Sequence, residues 1–170
     1  MGFTKVLGQK AYSHTITFQV NSSINSIYEL VAKSAIDSSV FASKGLIKKI
    51  KSSSIIEGIW EYKNAKRRIE FTNGSFIYQT ILVFNKNEQI KYQITGFKGF
   101  MASLTSGGNE EWIFKKLDGN KTEIKWTFQL YRKNIFTALV LRGFVKDDIK
   151  PMMQQSIKLI QSKFNTKSDE

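Results

Sequence analysis

Few side chains in this 170-residue sequence can carry chemistry, and those few narrow the choice. There is no cysteine and a single histidine, His14. Disulfides, thiolate nucleophiles, Zn–Cys sites and iron–sulfur clusters are excluded. A metal held by two or three histidines would need more than one chain, so the expectation is no metal and no cofactor. A Ser-His-Asp triad could use only His14. What remains is a handful of polar residues set inside apolar alternation. His14 lies between Tyr12 and Ile16, Gln79 among Ile77, Ile81 and Val83, Tyr92 between Ile90 and Ile94, and Glu110 two residues before Trp112. Buried polar groups need partners, so each of these bonds either a neighbour or a ligand. His14 titrates near neutrality and Glu110 could act as a general base, which makes these two the catalytic candidates. The Gln79 amide can orient a polar group but cannot take a proton at neutral pH.

Strands and helices must position these residues. Lys10 to Val20 alternates as a half-buried strand. Asn21-Ser22-Ser23 breaks it, and Ile24, Ile27, Tyr28 and Val31 follow at helical spacing, with Ser26 and Glu29 as a capping box. A second short helix is predicted from Asp37 to Lys44, stopped by Gly45. Strands are predicted at Leu46–Lys51, Ile59–Tyr62, Lys66–Thr72, Phe76–Phe84, Ile90–Thr95, Glu110–Lys116 and Thr122–Tyr131. Asn73-Gly74, Lys86 to Gln89 and Asp118-Gly119-Asn120 supply turns. Gly96 to Asn109 has no period. At the end, Ile149, Met152, Met153, Ile157, Ile160 and Phe164 mark an amphipathic helix. Pro151, the only proline, is placed in its first turn, with Asp147 and Asp148 as cap and dipole partners; the alternative is a kink in a longer helix beginning near Ile135.

These elements predict an α+β domain. About seven antiparallel strands form a curved sheet that grips the long C-terminal helix, and two short helices follow the first strand, because the sheet's apolar face must be covered. One domain spans 1–170, with an extension at 1–9 and a frayed tail at 165–170. An apolar content of 41% supports a real core.

Pairing arithmetic assigns faces. A turn centred on Asn87-Glu88 sets Val83 against Tyr92 and Ile81 against Ile94. Ile77, Gln79, Ile81, Val83, Ile90, Tyr92 and Ile94 then point inward. A three-residue turn at Asp118-Gly119-Asn120 sets Phe114 against Ile124, Trp112 against Trp126 and Glu110 against Phe128, all inward. A slip of one residue would invert both sets.

The net charge of +12, from 26 Lys+Arg against 14 Asp+Glu, predicts attraction to anionic partners. Nucleic acid is disfavoured, since aromatics do not interleave with Lys48, Lys49, Lys51, Lys63, Lys66, Arg67 and Arg68. Peripheral contact with an anionic membrane suits Ile135, Phe136, Leu139, Val140 and Phe144 beside Arg132, Lys133 and Arg142. The chain's start lacks an apolar leader segment and its longest apolar cluster, Ile135 to Leu141, is short of the roughly 20 residues that span a bilayer, so a cytoplasmic protein is expected. The oligomeric state is left open.

The sequence resembles the START-like, polyketide cyclase/dehydrase superfamily with its helix-grip fold. The resemblance covers Tyr12 to Phe164. It is carried by ITFQVNSSINSIYELVAKS, by KRRIEFTNGSFIYQTI and by LDGNKTEIKWTFQL. It implies a cavity between sheet and long helix that holds a small hydrophobic ligand, lipid-like or polyketide-like, for binding or transport. In the family, the position of Gln79 often carries an acid and that of Arg67 a basic residue; glutamine at position 79 counts against acid–base catalysis there. The ligand contacts implied are Gln79, Ile81, Tyr92, Ile94, Glu110, Trp112, Trp126, Phe128, Met153 and Ile157, with Gly96 to Ser106 bordering the mouth. Three functions stay open: a binding module, a cyclase or dehydratase using His14 or Glu110, and an interaction domain with a collapsed pocket. A void larger than a few hundred Å³ would separate the first two from the third.

Overall fold

In this computed structural model the alternation of the first strand is realised residue by residue. The structure describes residues 10–32 and 38–165. In β1 (Ala11–Val20), Ser13, Thr15, Thr17 and Gln19 are exposed while Phe18 and Val20 are buried. α1 (Ile24–Ala32) follows and buries Ile27, Tyr28, Val31 and Ala32. Its cap is Ser23, from the Asn21-Ser22-Ser23 break: the Ser23 Oγ accepts the Ser26 N–H at 3.2 Å. Then come β2 (Ile50–Glu57), β3 (Lys66–Phe71), β4 (Phe76–Asn85), β5 (Gln89–Thr95), α2 (Gly99–Leu104), β6 (Thr105–Leu117) and β7 (Lys121–Arg132). The strands form one seven-stranded antiparallel sheet in the order β1-β7-β6-β5-β4-β3-β2. α3 (Ala138–Phe144), a π-helical turn at Val145–Ile149 and α4 (Lys150–Asn165) complete the chain. Met152, Met153, Ile157 and Ile160 of α4 are buried, as the spacing requires. This is the α+β helix-grip architecture expected from the element order.

Several boundaries differ from the sequence reading. No helix occupies 38–44; Asp37 lies outside the described residues. Leu46 sits in a turn closed by Lys44 and Ile47, and β2 begins only at Ile50. Ile59–Tyr62 is not a strand. Gly58, Glu61 and Asn64 all have positive φ there, and the chain coils so that Trp60 enters the core. Gly96 to Asn109 is not all irregular, because it contains α2 and the first residues of β6.

The C-terminal helix is also longer than the favoured reading. It runs without a break from Ala138, so Pro151 lies inside it and Asp147 and Asp148 are not its cap. A proline here has no N–H to give the carbonyl of Asp147, and its ring would press on that oxygen. The widened π turn lies immediately before the proline and gives that carbonyl room.

The β6–β7 register is the predicted one: Phe114 faces Ile124, Trp112 faces Trp126 and Glu110 faces Phe128. The β4–β5 register is not. A turn of three residues pairs Asn85 with Gln89 and so sets Val83 against Lys91, and a bulge between Ile81 and Val83 shifts the pairing by one more, so that Ile81 faces Tyr92 and Gln79 faces Ile94. Beyond the bulge Phe84 replaces Val83 on the inner face, where its ring meets Tyr28 edge-on at 5.7 Å.

Burial of the long helix carries a direct expectation. Replacing Ile160, which is 0% exposed, by alanine should cost about 2–5 kcal/mol and lower the urea midpoint without changing the slope. An unmoved midpoint would contradict the packing.

Candidate functional site

Trp112 and Trp126 are directly opposed on β6 and β7, and their rings stack at 4.2 Å with 17° between planes. This aims both indole N–H groups at one acceptor, Glu110 Oε1, each at 3.0 Å. The other carboxylate oxygen, Oε2, accepts the Gln79 amide N–H at 2.7 Å. Gln79 Oε1 in turn accepts Arg67 Nε at 2.8 Å and Nη2 at 2.6 Å. Arg67, only 1% exposed, lies over the Trp60 ring at 4.4 Å and the Tyr92 ring at 5.1 Å. Trp60 stacks on Tyr92 and anchors its own N–H on the Ala32 carbonyl at 2.8 Å. Arg67, Gln79 and Glu110 thus form a buried polar chain between two aromatic stacks.

Burial pushes the Glu110 pKa above the ordinary carboxylate value, while Arg67 and the Trp112, Trp126 and Gln79 donors pull it back. Every bonded partner of the carboxylate is a donor, which is the pattern of the ionised form. Burial likewise lowers the Arg67 pKa and raises those of Tyr92 and Tyr28.

Gln79 and Glu110 also form part of the wall of a pocket of about 160 Å³. Its other walls are largely apolar. The sheet gives Ile50, Ile69, Ile94, Trp126, Phe128 and Leu130; the helical side gives Phe144, Ile149 and Met152; Phe41 and Ile47, with Phe97 and Met101, close the ends. Phe41 packs edge-on against both stacked indoles, at 6.1 and 6.0 Å. Two bonds hold the 41–47 segment on the long helix: Ser156 Oγ accepts the Ala42 N–H at 2.9 Å, and Asp148 Oδ1 accepts the Leu46 N–H at 2.8 Å. Glycine is required beside the second bond. Gly45 has φ +54, and a Cβ there would fall 1.8 Å from Asp148 Oδ1.

Solved structures share this architecture. A crystal structure of Ara h 8.0201 matches 92% of this chain and 99% of its own, at 13% identity and a TM-score of 0.64. A START superfamily protein from Mycobacterium smegmatis matches 91% of this chain and 97% of its own, at 11% identity and 0.66. Ginseng major latex-like protein 151 from Panax ginseng matches 91% and 97%, at 8% identity and 0.61. This chain has the START-like helix-grip fold. No family model and no curated protein matches the sequence.

Within this START-like fold the sequence-derived candidates divide. Gln79, Ile94, Glu110, Trp126 and Phe128 line the pocket. Ile81, Tyr92, Trp112, Met153 and Ile157 are buried in the core and are not among its lining residues. His14 sits on β1 opposite Phe128, which lines the pocket, but is not itself among the lining residues, and its Nε2 is buried and unbonded. Of the stretch expected at the mouth, Phe97, Lys98 and Met101 contribute. The volume is below the few hundred Å³ expected to separate a binding module or an enzyme from an interaction domain with a collapsed pocket, so by that measure it counts toward the collapsed pocket; it is the size of cavities that hold one benzene ring. Sequence reasoning passed over Phe41, whose segment reads as a helix, and noted Arg67 as a family-like basic position without placing it inside. Its signal was the apolar Ile69 two residues on, which puts Arg67 on the inner face.

Two measurements follow from this geometry. Glu110→Ala would strand three buried N–H donors and leave Arg67 uncompensated, at a cost of about 3–5 kcal/mol. Glu110→Gln keeps an oxygen for the indoles and should cost clearly less; equal melting temperatures for the two variants would count against the bonding scheme. Burial, and then Lys150, hold the His14 pKa below 6.5. The folded state therefore binds this proton more weakly than the unfolded state does. Its contribution to stability is present above pH 6.5 and lost as the pH falls through the folded value. An NMR titration of His14 with a midpoint above 6.5 would contradict this.

Proposed function

We propose that the protein binds a small hydrophobic molecule carrying one hydroxyl group, held in the pocket between sheet and helix. The observation that carries this reading is the pairing of Gln79 and Glu110 in an otherwise apolar wall. Glu110 Oε1 is filled by two indoles, whereas Oε2 accepts a single bond and has room for another. Gln79 Nε2 has a second N–H beside it. A hydroxyl can donate to the first and accept from the second, while the apolar body fills the space under Phe41 and Met152. A carboxylate ligand would meet Glu110 as a like charge. The pocket volume favours a molecule of about one ring over an extended lipid or polyketide.

An acid–base enzyme in the same cavity has less support. His14 is not among the lining residues, and the Glu110 carboxylate already accepts three N–H groups. The lack of cysteine suits a reducing, cytoplasmic setting for the binder.

The test is titration of the wild-type protein with phenol, toluene and benzoate, followed by tryptophan fluorescence, to which Trp60 contributes beside Trp112 and Trp126. Phenol and toluene differ by a hydroxyl in place of a methyl. Phenol should bind about tenfold tighter than toluene or better, with benzoate the weakest. Phenol no tighter than toluene would remove Glu110 as the anchor. Saturation by none of the three would remove the binding reading itself.

A further inference from the structure

On the side of the pocket formed by α2 and α3, the molecule shows water an unusual amount of apolar side chain. Phe136 is 90% exposed, Leu139 80%, Ile135 66% and Phe100 58%. A single exposed leucine needs no explanation, but several large apolar residues together mark a contact surface. These are neighbours. The segment after β7 is tied to α2 by the Lys133 N–H on the Leu104 carbonyl and by Lys133 Nζ on the Ala102 carbonyl, both at 3.0 Å. Phe136, Leu139 and Val140 follow at helical spacing, so they share the outer face while Leu141 and Phe144 turn inward and are buried.

Charge selects the partner. Residues 128–146 carry Arg132, Lys133, Arg142 and Lys146, and residues 96–109 carry Lys98; neither stretch contains an acid. The nearest acids in sequence are Glu110, which is buried, and Asp147. Apolar side chains ringed by basic ones match the interfacial region of an anionic bilayer, in which the apolar groups enter the headgroup boundary and the cations meet phosphate and carboxylate. No helix of the described residues is long and apolar enough to cross a membrane, so the contact lies in the plane of the surface.

We infer that the outer faces of α2 and α3, with the 133–137 segment between β7 and α3, form a docking surface for an anionic lipid bilayer. The same two helices turn Met101 and Phe144 to the pocket on their inner sides. They therefore separate the bound state of an apolar ligand from a reservoir in which such molecules dissolve. Docking stands on the patch itself and does not require the ligand reading to hold.

The test is co-sedimentation of the full chain with vesicles of phosphatidylcholine alone and of phosphatidylcholine with phosphatidylserine. The variants are Phe136→Ser/Leu139→Ser and Arg132→Gln/Lys133→Gln/Arg142→Gln. The wild type should bind the phosphatidylserine vesicles and bind phosphatidylcholine weakly. The apolar double variant should keep its melting temperature, since both side chains are exposed, and lose at least about tenfold in vesicle binding. The basic triple variant should lose the preference for phosphatidylserine. Vesicle binding unchanged in the double variant would overturn the inference, because the charge alone would then account for adsorption. Absence of wild-type binding would overturn it too, as would a dimer in light scattering that the double variant converts to monomer.

Discussion

A carboxylate cannot lie in an apolar interior without donors around it, and the interior of this protein is organised to supply them. Glu110 requires two indoles on one oxygen. That requires Trp112 and Trp126 to stand opposite each other, which sets the pairing of β6 with β7. Its second oxygen requires Gln79, two strands away in the sheet, and Gln79 requires Arg67 one strand further. Arg67 is then covered by the Trp60 and Tyr92 rings. The coil between β2 and β3, with its positive φ angles at Glu61 and Asn64, exists to deliver Trp60 to that place. One buried charge thus ties together the central strands and a loop that has no regular structure.

The pocket is what the helix and the 41–47 segment leave uncovered next to this network. Ser156 and Asp148 hold the segment, and the conformation of Gly45 lets the backbone approach the Asp148 carboxylate. The π turn contributes by setting the path of the helix: Asp148 and Ile149 lie within it, and Ile149 lines the pocket together with Met152 of α4. The polar wall and the apolar walls of the pocket are therefore fixed by different parts of the chain.

Much of this was legible in the sequence. Alternation on both sides of Asp118-Gly119-Asn120, read with a three-residue turn, gives the register that β6 and β7 adopt, with the tryptophans opposed and Glu110 inward. Gln79 stood out because an amide among Ile77, Ile81 and Val83 breaks an apolar face. The β4–β5 register was not legible, because the turn is one residue shorter than Lys86 to Gln89 and the bulge that adds a second shift carries no glycine or other signal between Ile81 and Val83. The helix start was misjudged for a physical reason as well. Pro151 with two preceding aspartates has the composition of a helix N-terminus, and only the packing of Leu141 and Phe144 against the core shows that the helix continues upstream. The 38–47 segment is held by tertiary bonds to the helix, which local propensity does not report.

The central claim is that the open position on Glu110 Oε2 orients what the pocket holds. It is tested most directly by a crystal structure of the wild-type protein with phenol. The hydroxyl oxygen should lie within about 2.6–3.2 Å of Glu110 Oε2 and in reach of Gln79 Nε2, with the ring under Phe41 and both indole bonds to Oε1 intact. A ring seated with its hydroxyl toward the Lys48 and Lys98 rim, or a pocket left empty at saturating phenol, would contradict it.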